Sequence, residues 1–286
     1  MSIYFPKALR RHKIIQFLLS CKLLPNLIKC KFNKTSKCYL DLTDPEPRNI
    51  FITKTFEPDF FGIAKSFLPN KGIFFDLGAN HGLCSFGLLP CNEKLGFHLF
   101  EANEYLVKLI NKSCTLHKDQ KFKVNYACVS EKSGSTNFSI INSQSGQSHV
   151  ATSGEAGKFV KNLVLDEYCA ANSIKKVDFA KMDLEGQELP ALKGWKKNLE
   201  RKMIKAIYLE IMPENQERYG FETAAPMEYL ESFGYELFLC KKEEFGKFGR
   251  APVEKITPNS TIQLSSFRAK EFPSDYATDI LALAPI

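Results

Sequence analysis

Acidic residues end four short apolar runs of this sequence, and their carboxylates could carry chemistry. The runs end on Asp76, Glu101, Asp183 and Glu210. If the runs are parallel strands, their carboxyl ends meet at one edge of a sheet, where ligands bind in α/β proteins. A carboxylate there can accept a hydroxyl hydrogen bond, remove a proton or hold a hard cation. The four acids therefore predict a ligand site at strand ends.

The stretch "GIFFDLGANHG" indicates a buried strand that enters a tight turn before a helix. Gly78 and Gly82 permit positive φ or close backbone approach to a ligand, and Asn80 tolerates unusual turn geometry. The dinucleotide pattern G-x-G-x-x-G is not met, since Asn80 and Leu83 occupy its second and third glycine positions. The turn therefore disfavours a nicotinamide or flavin site. The alternative is an ordinary strand-turn-helix connection.

Glu101 follows Asp76 by 25 residues. An acid after the second strand of such a fold can accept hydrogen bonds from both ribose hydroxyls of a nucleotide-like ligand. The alternative role is a solvated strand terminus.

Strand-like and helix-like segments alternate along the chain, which predicts an α/β fold with a mostly parallel sheet and helices on both faces. Two stretches stand apart. Residues 142–157 form a Ser/Gly-rich loop, and loops of this length in compact domains are usually functional or disordered. Residues 241–275 are polar and predict an insertion or lid.

The basic charge is concentrated at the amino terminus. The 286 residues carry 39 Lys or Arg and 32 Asp or Glu, but residues 1–40 hold nine of the basic residues and no acid. The remainder is slightly acidic. We therefore predict a basic, partly helical arm over residues 1–50 and one domain over residues 51–286.

The arm contains "RRHKIIQFLLSCKLLPNLIKCK", in which Lys22 and Pro25 interrupt the apolar residues. This is too short for a transmembrane helix, and its apolar core is too short for a secretory signal. The remaining interpretations are packing on the domain, contact with an anionic membrane surface, or, on the basic charge alone, contact with nucleic acid.

Nine scattered cysteines form no C-x-x-C pair, and five histidines show no zinc-hydrolase spacing. This pattern favours a reducing compartment and buried thiols. We therefore expect a cytoplasmic protein, with peripheral membrane contact if the arm binds lipid.

Five stretches, in this order and with these gaps, resemble the FkbM-type S-adenosylmethionine-dependent methyltransferases: "FFDLGANHGLCS", "HLFEAN", "LVLDEY", "VDFAKMDLEGQELPALKGW" and "AIYLEIM". The resemblance covers roughly residues 70 to 240, and "KMDLEGQE" is its most specific element. Ala102 stands where the family commonly has Pro, and the basic arm has no counterpart. The resemblance implies a Rossmann-like methyltransferase fold with a seven-stranded sheet and methyl transfer to oxygen, often a sugar or polyketide hydroxyl.

The donor site implied by this resemblance comprises Asp76, Gly78, Asn80, Gly82, Glu101 and Ala102. Asp183 and Glu185 lie at the strand end nearest the expected methyl group, so we expect them to act as base or metal ligands. Asp183 with Glu210 could hold Mg²⁺. His149, in the long loop, is either a base or substrate residue or a solvated side chain. Glu188 has the alternative role of capping a helix.

Two rival functions remain. One is a methyltransferase that modifies nucleic acid through the basic arm, although "MDLEGQE" does not resemble the Pro-Pro-aromatic motif of amino-methylating enzymes. The other is a methyltransferase-like binding module without catalysis, which Asp76 and Glu101 argue against. We expect the partner to be a hydroxyl-bearing small molecule or glycan.

Overall fold

The computed structural model describes residues 5–91, 94–142 and 144–285. Its helices are α1 (Phe5–Ser20), α2 (Pro45–Thr53), α3 (Pro58–Phe67), α4 (Leu83–Leu88), α5 (Glu104–Cys114), α6 (Leu165–Ala171), α7 (Glu188–Lys193), α8 (Lys196–Glu200), α9 (Pro213–Arg218) and α10 (Ala225–Ser232). Its strands are β1 (Leu27–Phe32), β2 (Ser36–Asp41), β3 (Ile73–Leu77), β4 (Gly96–Glu101), β5 (Lys121–Tyr126), β6 (Cys128–Val129), β7 (Ser135–Ser139), β8 (His149–Val150), β9 (Lys158–Leu163), β10 (Phe179–Met182), β11 (Ala206–Ile211), β12 (Glu236–Leu239), β13 (Val253–Ile256), β14 (Thr261–Phe267) and β15 (Thr278–Leu283).

Parallel strands form the centre of the main sheet. Strands β5, β4, β3, β10 and β11 pair in this order, and β15 lies antiparallel between β11 and β12. Because the parallel strands end at one edge, Asp76, Glu101, Asp183 and Glu210 come to that edge. The predicted α/β fold with a mostly parallel sheet is confirmed.

The strand count differs from the prediction. In the described part of the chain the main sheet has nine strands rather than seven, in the order β13-β14-β12-β15-β11-β10-β3-β4-β5. The two extra strands come from residues 241–275, for which the sequence predicts an insertion or lid. Strand β14 pairs with β12, and β13 pairs with β14, so the segment extends one edge of the sheet.

Neighbouring side chains of a strand point to opposite faces of the sheet. Both faces of the main sheet are covered, so both sets of side chains are buried. Phe74 packs near Phe60 on the face covered by α2 to α5. Phe75 stacks on Trp195 on the other face, with ring centroids 5.5 Å apart. This double burial explains why the strands are continuous apolar runs in the sequence.

Much of the predicted arm belongs to the body. Strands β1 and β2 form an antiparallel hairpin, and Phe32, Leu40 and Ile50 are buried in the same core as Phe74. Helix α1 contributes Ile15 to this core, and Leu19 packs against it while partly buried. Within the described residues, no helix is both long and apolar enough to cross a bilayer.

A second sheet lies next to the carboxyl edge of the first. Its order is β6-β9-β7-β8. The predicted long loop connects β7 to β9 and contains β8 and a short 3₁₀ turn, Ser145–Gln147. This sheet and turn therefore supply walls to the cavities at the strand ends.

Candidate functional site

The glycine turn after β3 is shaped by close approach of two strand ends. Gly78 has φ +79°, and a Cβ there would lie 1.8 Å from the carbonyl oxygen of Asp183. The amides of Gly78 and Ala79 both donate to the carbonyl oxygen of Phe100, at 3.0 and 2.9 Å. Asn80 has φ +48° and Gly82 φ +72°. The turn thus requires glycine at position 78 for backbone packing as well as for any ligand.

Glu101 is held at the end of β4 by backbone amides. Its carboxylate accepts from the amides of Asn80 at 2.8 Å and Asn103 at 2.7 Å. Burial raises the pKa of Glu101 to about 7 in spite of these bonds, and the nearby Asp76 adds to the shift. The group is positioned and only partly ionised near neutral pH, so a ligand that donates hydroxyl hydrogen bonds would favour its charged form.

Asp76 faces the helix that follows the turn. Its Oδ2 accepts from the hydroxyl of Ser85 at 2.6 Å and from the Ser85 amide at 3.2 Å. Burial raises the pKa of Asp76 to about 6. The residue therefore stabilises the first turn of α4 and lies in the wall of one of the two cavities described next.

An apolar cleft lies over the glycine turn and the end of β4. Phe100, Ala102, Val129 and Phe138 form apolar parts of its wall, and Glu101 provides a carboxylate. This combination suits a flat, apolar heterocycle joined to a hydroxylated sugar. Of the predicted donor-binding residues, Gly78, Asn80, Glu101 and Ala102 line this cleft.

A second cavity adjoins the apolar cleft. We call it the acidic cavity because, among the described residues that line it, seven carry carboxyl groups and Lys181 is the one cation. The carboxyl residues are Asp44, Glu46, Glu57, Asp76, Asp183, Glu185 and Glu210. Asp183 and Glu185 also line the apolar cleft, so they lie where the two spaces meet.

Lys181, in strand β10 two residues before Asp183, is a candidate functional residue that the sequence motifs did not reveal. Its side chain is buried, and its Nζ donates to Oδ2 of Asp183 at 2.8 Å and lies 4.0 Å from Oε1 of Glu57. Burial opposes its charge, but Asp183 and the surrounding acids raise the pKa of Lys181 well above its ordinary value. A lysine inside an apolar strand, two residues before an acid, was the available signal.

Asp183 and Glu210 differ in protonation although their side chains hydrogen-bond. Burial alone would raise the pKa of Asp183, but Lys181 and the hydrogen bond from Glu210 hold it below its ordinary value. The charge of Asp183, followed by burial, raises the pKa of Glu210. At neutral pH the site therefore holds an ionised Asp183 between an ammonium and a neutral carboxyl group.

Glu185 and Glu188 have separate roles in the turn after β10. Oε2 of Glu185 accepts from Nδ2 of Asn215 at 2.6 Å, and burial, followed by the charge of Asp183, raises the pKa of Glu185 to about 8. Glu188 is buried and accepts from the amides of Leu184 at 2.8 Å and Gly186 at 3.4 Å. Glu185 thus faces both cavities as a mainly neutral acid, whereas Glu188 holds the turn.

The predicted magnesium site gains no support. Asp183 and Glu210 do come together, but the described residues include no group of three or more acidic, histidine or cysteine side chains arranged to hold a metal ion. The Lys181 ammonium occupies one of the hydrogen-bonding positions of Asp183.

His149 lies in the second sheet, and it is absent from the described walls of both cavities. Its ring nitrogens contact the carbonyl oxygen of Gln147 at 2.8 Å and Glu155 Oε2 at 3.2 Å. The adjacent Val150 does line the apolar cleft, together with Asp183 and Glu185, so the role of His149 stays a prediction.

The 3₁₀ turn in the long loop is tied to the glycine turn and to α2. The Ser145 hydroxyl donates to Oδ1 of Asn80 at 3.0 Å, and the Ser145 amide donates to Oδ2 of Asp44 at 2.8 Å. Gly146 lines both cavities. These contacts join segments 65 and 101 residues apart in the sequence, and no local motif predicts them.

Several solved methyltransferase structures align with most of this chain at low identity. A precorrin-6y C5,15-methyltransferase from Geobacter metallireducens has 12% identity and a TM-score of 0.41, with 80% of this chain and 88% of that chain covered. A methyltransferase candidate from Streptococcus mutans, solved in complex with SAH, has 8% identity and a TM-score of 0.42, with 78% and 94% covered. An rRNA methylase from Streptococcus thermophilus has 12% identity and a TM-score of 0.39, with 79% and 93% covered. No curated protein matches the chain significantly.

The sequence matches the methyltransferase FkbM domain family over residues 76–237. The match covers more than half of the chain. It includes the glycine turn, Glu101, the Lys181–Asp183 pair and Glu210, which are residues that build the two adjoining cavities. The chain belongs to the FkbM-domain family of S-adenosylmethionine-dependent methyltransferases.

Proposed function

We propose that this protein transfers a methyl group from S-adenosylmethionine to a hydroxyl group of a sugar, glycan or secondary metabolite. One observation carries the proposal. Asp183, ionised beside the buried Lys181, lies where the apolar cleft meets the acidic cavity. A base at the junction of donor and acceptor spaces is what transfer to a poorly acidic hydroxyl requires.

The apolar cleft would hold the adenosyl part of the donor. Glu101 would accept hydrogen bonds from the ribose hydroxyls, while Phe100, Ala102 and Val129 would pack on the adenine. When bound, S-adenosylmethionine supplies an electrophilic methyl group on a positively charged sulfur.

Asp183 would act as the general base. As the methyl group passes from the donor to the acceptor oxygen, the proton of that hydroxyl would pass to Oδ of Asp183, and the donor would leave as S-adenosylhomocysteine. Lys181 keeps Asp183 ionised and oriented, and the neutral Glu210 donates a hydrogen bond to it. A positioned base contributes about 10² to 10⁴-fold in rate, and alignment contributes roughly 7 to 11 kcal/mol of the barrier.

The walls of the acidic cavity favour a hydroxylated acceptor. Several carboxyl groups converge there, and each can accept a hydrogen bond from a hydroxyl. Among the described residues that line the cavity, Phe56 is the one aromatic side chain. Enzymes that modify a nucleobase typically hold it between aromatic or apolar side chains, so this wall supports a polyol acceptor over a base.

We also propose that acceptor activation uses Lys181 in the place where the sequence predicts Mg²⁺. Its ammonium is already within hydrogen-bond distance of Asp183 and is surrounded by Glu57 and Glu210. A divalent cation on Asp183 and Glu210 would have to displace or repel this buried charge.

Asp183→Asn tests the assignment, because it keeps the size of the side chain and removes its charge. Turnover, measured as S-adenosylhomocysteine release with glycan, lipid-linked sugar and polyketide pools as acceptors, should fall by about 10² to 10⁴-fold. Donor affinity, measured by calorimetry, should change little because Glu101 holds the adenosyl end. Asp59→Asn is the matched control, since Asp59 is exposed in the first turn of α3.

Two outcomes would contradict the proposal. Wild-type turnover in Asp183→Asn would show that the strand-end acids are architectural. Donor binding without turnover on any hydroxylated pool, but with turnover on RNA, would replace the hydroxyl acceptor by a nucleic-acid acceptor.

A further inference from the structure

Helix α1 exposes large apolar side chains on its outward face. Ile14 is 56% exposed, Phe17 63%, and Leu23, in the turn after the helix, 71%. Ile14 and Phe17 are three residues apart and therefore lie on the same side of the helix. Ile15, by contrast, is buried in the body core. Helix α1 is thus apolar on both sides, and only its inner side has a partner within the described chain.

The same outward face is positively charged. Lys13 is exposed four residues before Phe17, and Lys22 is exposed next to Leu23. Residues 1–40 contain no acidic residue, so no carboxylate from this segment neutralises the face. A surface on which apolar side chains stand among cations complements an anionic lipid surface, which attracts the cations and buries the apolar groups.

We propose that the outward face of α1 and the turn after it, formed by Lys13, Ile14, Phe17, Lys22 and Leu23, docks on an anionic membrane surface. The α1 helix has 16 residues and would lie in the plane of the interface, with its apolar side chains in the headgroup boundary. Its inner side keeps α1 attached to the body through Ile15, Leu19 and Leu24. The phosphates of a nucleic acid would bind the cations but would not bury Phe17 and Leu23. The exposed apolar side chains therefore favour a lipid surface.

The experiment uses the full chain and vesicles of phosphatidylcholine with and without phosphatidylglycerol, in a flotation assay. We expect binding only to the anionic vesicles, with an affinity that falls as salt increases. Lys13→Gln with Lys22→Gln should weaken binding about 30-fold, since each basic residue near an anionic surface contributes about 1 kcal/mol. Phe17→Ser with Leu23→Ser should weaken it at least about tenfold.

Matched controls come from exposed residues elsewhere. Phe159 is 75% exposed, and Lys118 and Lys132 are exposed, so Phe159→Ser and the pair Lys118→Gln with Lys132→Gln should bind vesicles as the wild type does. Unchanged melting temperatures show that each variant is folded. Point substitutions are preferable to truncation, since Leu40 and its neighbours belong to the core.

Three results would overturn the proposal. The first is equal binding to neutral and anionic vesicles, or none to either. The second is that Phe17→Ser with Leu23→Ser abolishes self-association of the protein and leaves vesicle binding unchanged. That result would show that a second copy of the chain covers the outward face of α1. The third is salt-sensitive RNA binding that depends on Lys13 and Lys22 while vesicles are ignored.

Discussion

Glu101 combines two properties that make donor binding sensitive to pH. Backbone amides fix its carboxylate, and burial raises the pKa of Glu101 to about 7. A hydroxyl donates more strongly to the ionised carboxylate than to the neutral acid. Because the group loses its proton as pH rises through its pKa, the charged form that suits the ribose grows between about pH 6 and pH 8.

Glu101→Gln should therefore weaken S-adenosylmethionine binding about 10- to 100-fold at pH 8, the range expected when a hydrogen bond to a charged group is lost. Calorimetry over about pH 6 to 8 should show affinity rising with pH in the wild type by more than in the variant. Other acids of the two cavities titrate in both proteins, so the difference between the two curves isolates Glu101. Parallel curves would show that Glu101 does not contact the ribose.

Lys181 gives a second prediction at the residue scale. Lys181→Met leaves the half-buried Asp183 near Glu57 without its cation, so turnover should fall about 10²-fold or more while donor affinity changes little. Lys181→Arg keeps the charge and should recover part of the turnover. Chelator should leave wild-type activity unchanged if Lys181 supplies the positive charge.

Recovery in Lys181→Arg separates an electrostatic role from a packing role, since Arg changes the volume of the site and keeps only the charge. If chelator instead abolishes wild-type activity and Mg²⁺ or Mn²⁺ restores it, Asp183 and Glu210 act as metal ligands.

The turn between β10 and α7 is the element that presents Asp183 and Glu185. Gly186 has φ +98°, and a Cβ there would lie 2.2 Å from the carbonyl oxygen of Asn215. Glu188 accepts the Leu184 and Gly186 amides within the same turn. Backbone conformation and one buried carboxyl group therefore set this turn.

Glu188→Ala should lower the free energy of unfolding by about 1–3 kcal/mol, because two buried amides lose their acceptor. Chemical denaturation measures this change. Glu217→Ala is the matched control on the neighbouring α9, where the side chain is exposed, and should stay within about 0.5 kcal/mol of the wild type. Equal stability of both variants would show that Glu188 does not hold the turn.

At the scale of the whole molecule, residues 27–53 complete one of the two cores. Leu40 is fully buried beside the sheet face that carries Phe74. Leu23, seventeen positions earlier in the sequence, is 71% exposed. The two leucines therefore distinguish the part of the amino-terminal segment that folds with the domain from the part that faces outward.

Leu40→Ala should cost about 2–5 kcal/mol of unfolding free energy, the usual range for a buried leucine, and Leu23→Ala should cost at most about 0.5 kcal/mol. Thermal unfolding of the two variants measures the contrast. A small loss in Leu40→Ala would mean that the amino-terminal hairpin is dispensable for the domain.

The sequence by itself determined the order of the central strands along the chain, the glycine turn and the acids at the strand ends. These features are local: a strand buried on both faces is a continuous apolar run, and the chain must leave the core through polar or glycine residues. The family followed from the same stretches. For the same reason, the sequence alone is enough to single out Asp183 and Glu101.

The tertiary structure alone decided which of these groups meet. The pairing of Lys181 with Asp183 inside the acidic cavity, the contact of Ser145 with Asp44, and the addition of β13 and β14 to the sheet depend on segments that are distant in sequence or on environment. Local periodicity carries no information on such contacts, because burial and charge pairing are set by what packs from elsewhere in the chain. The sequence gives Lys181 no role for that reason.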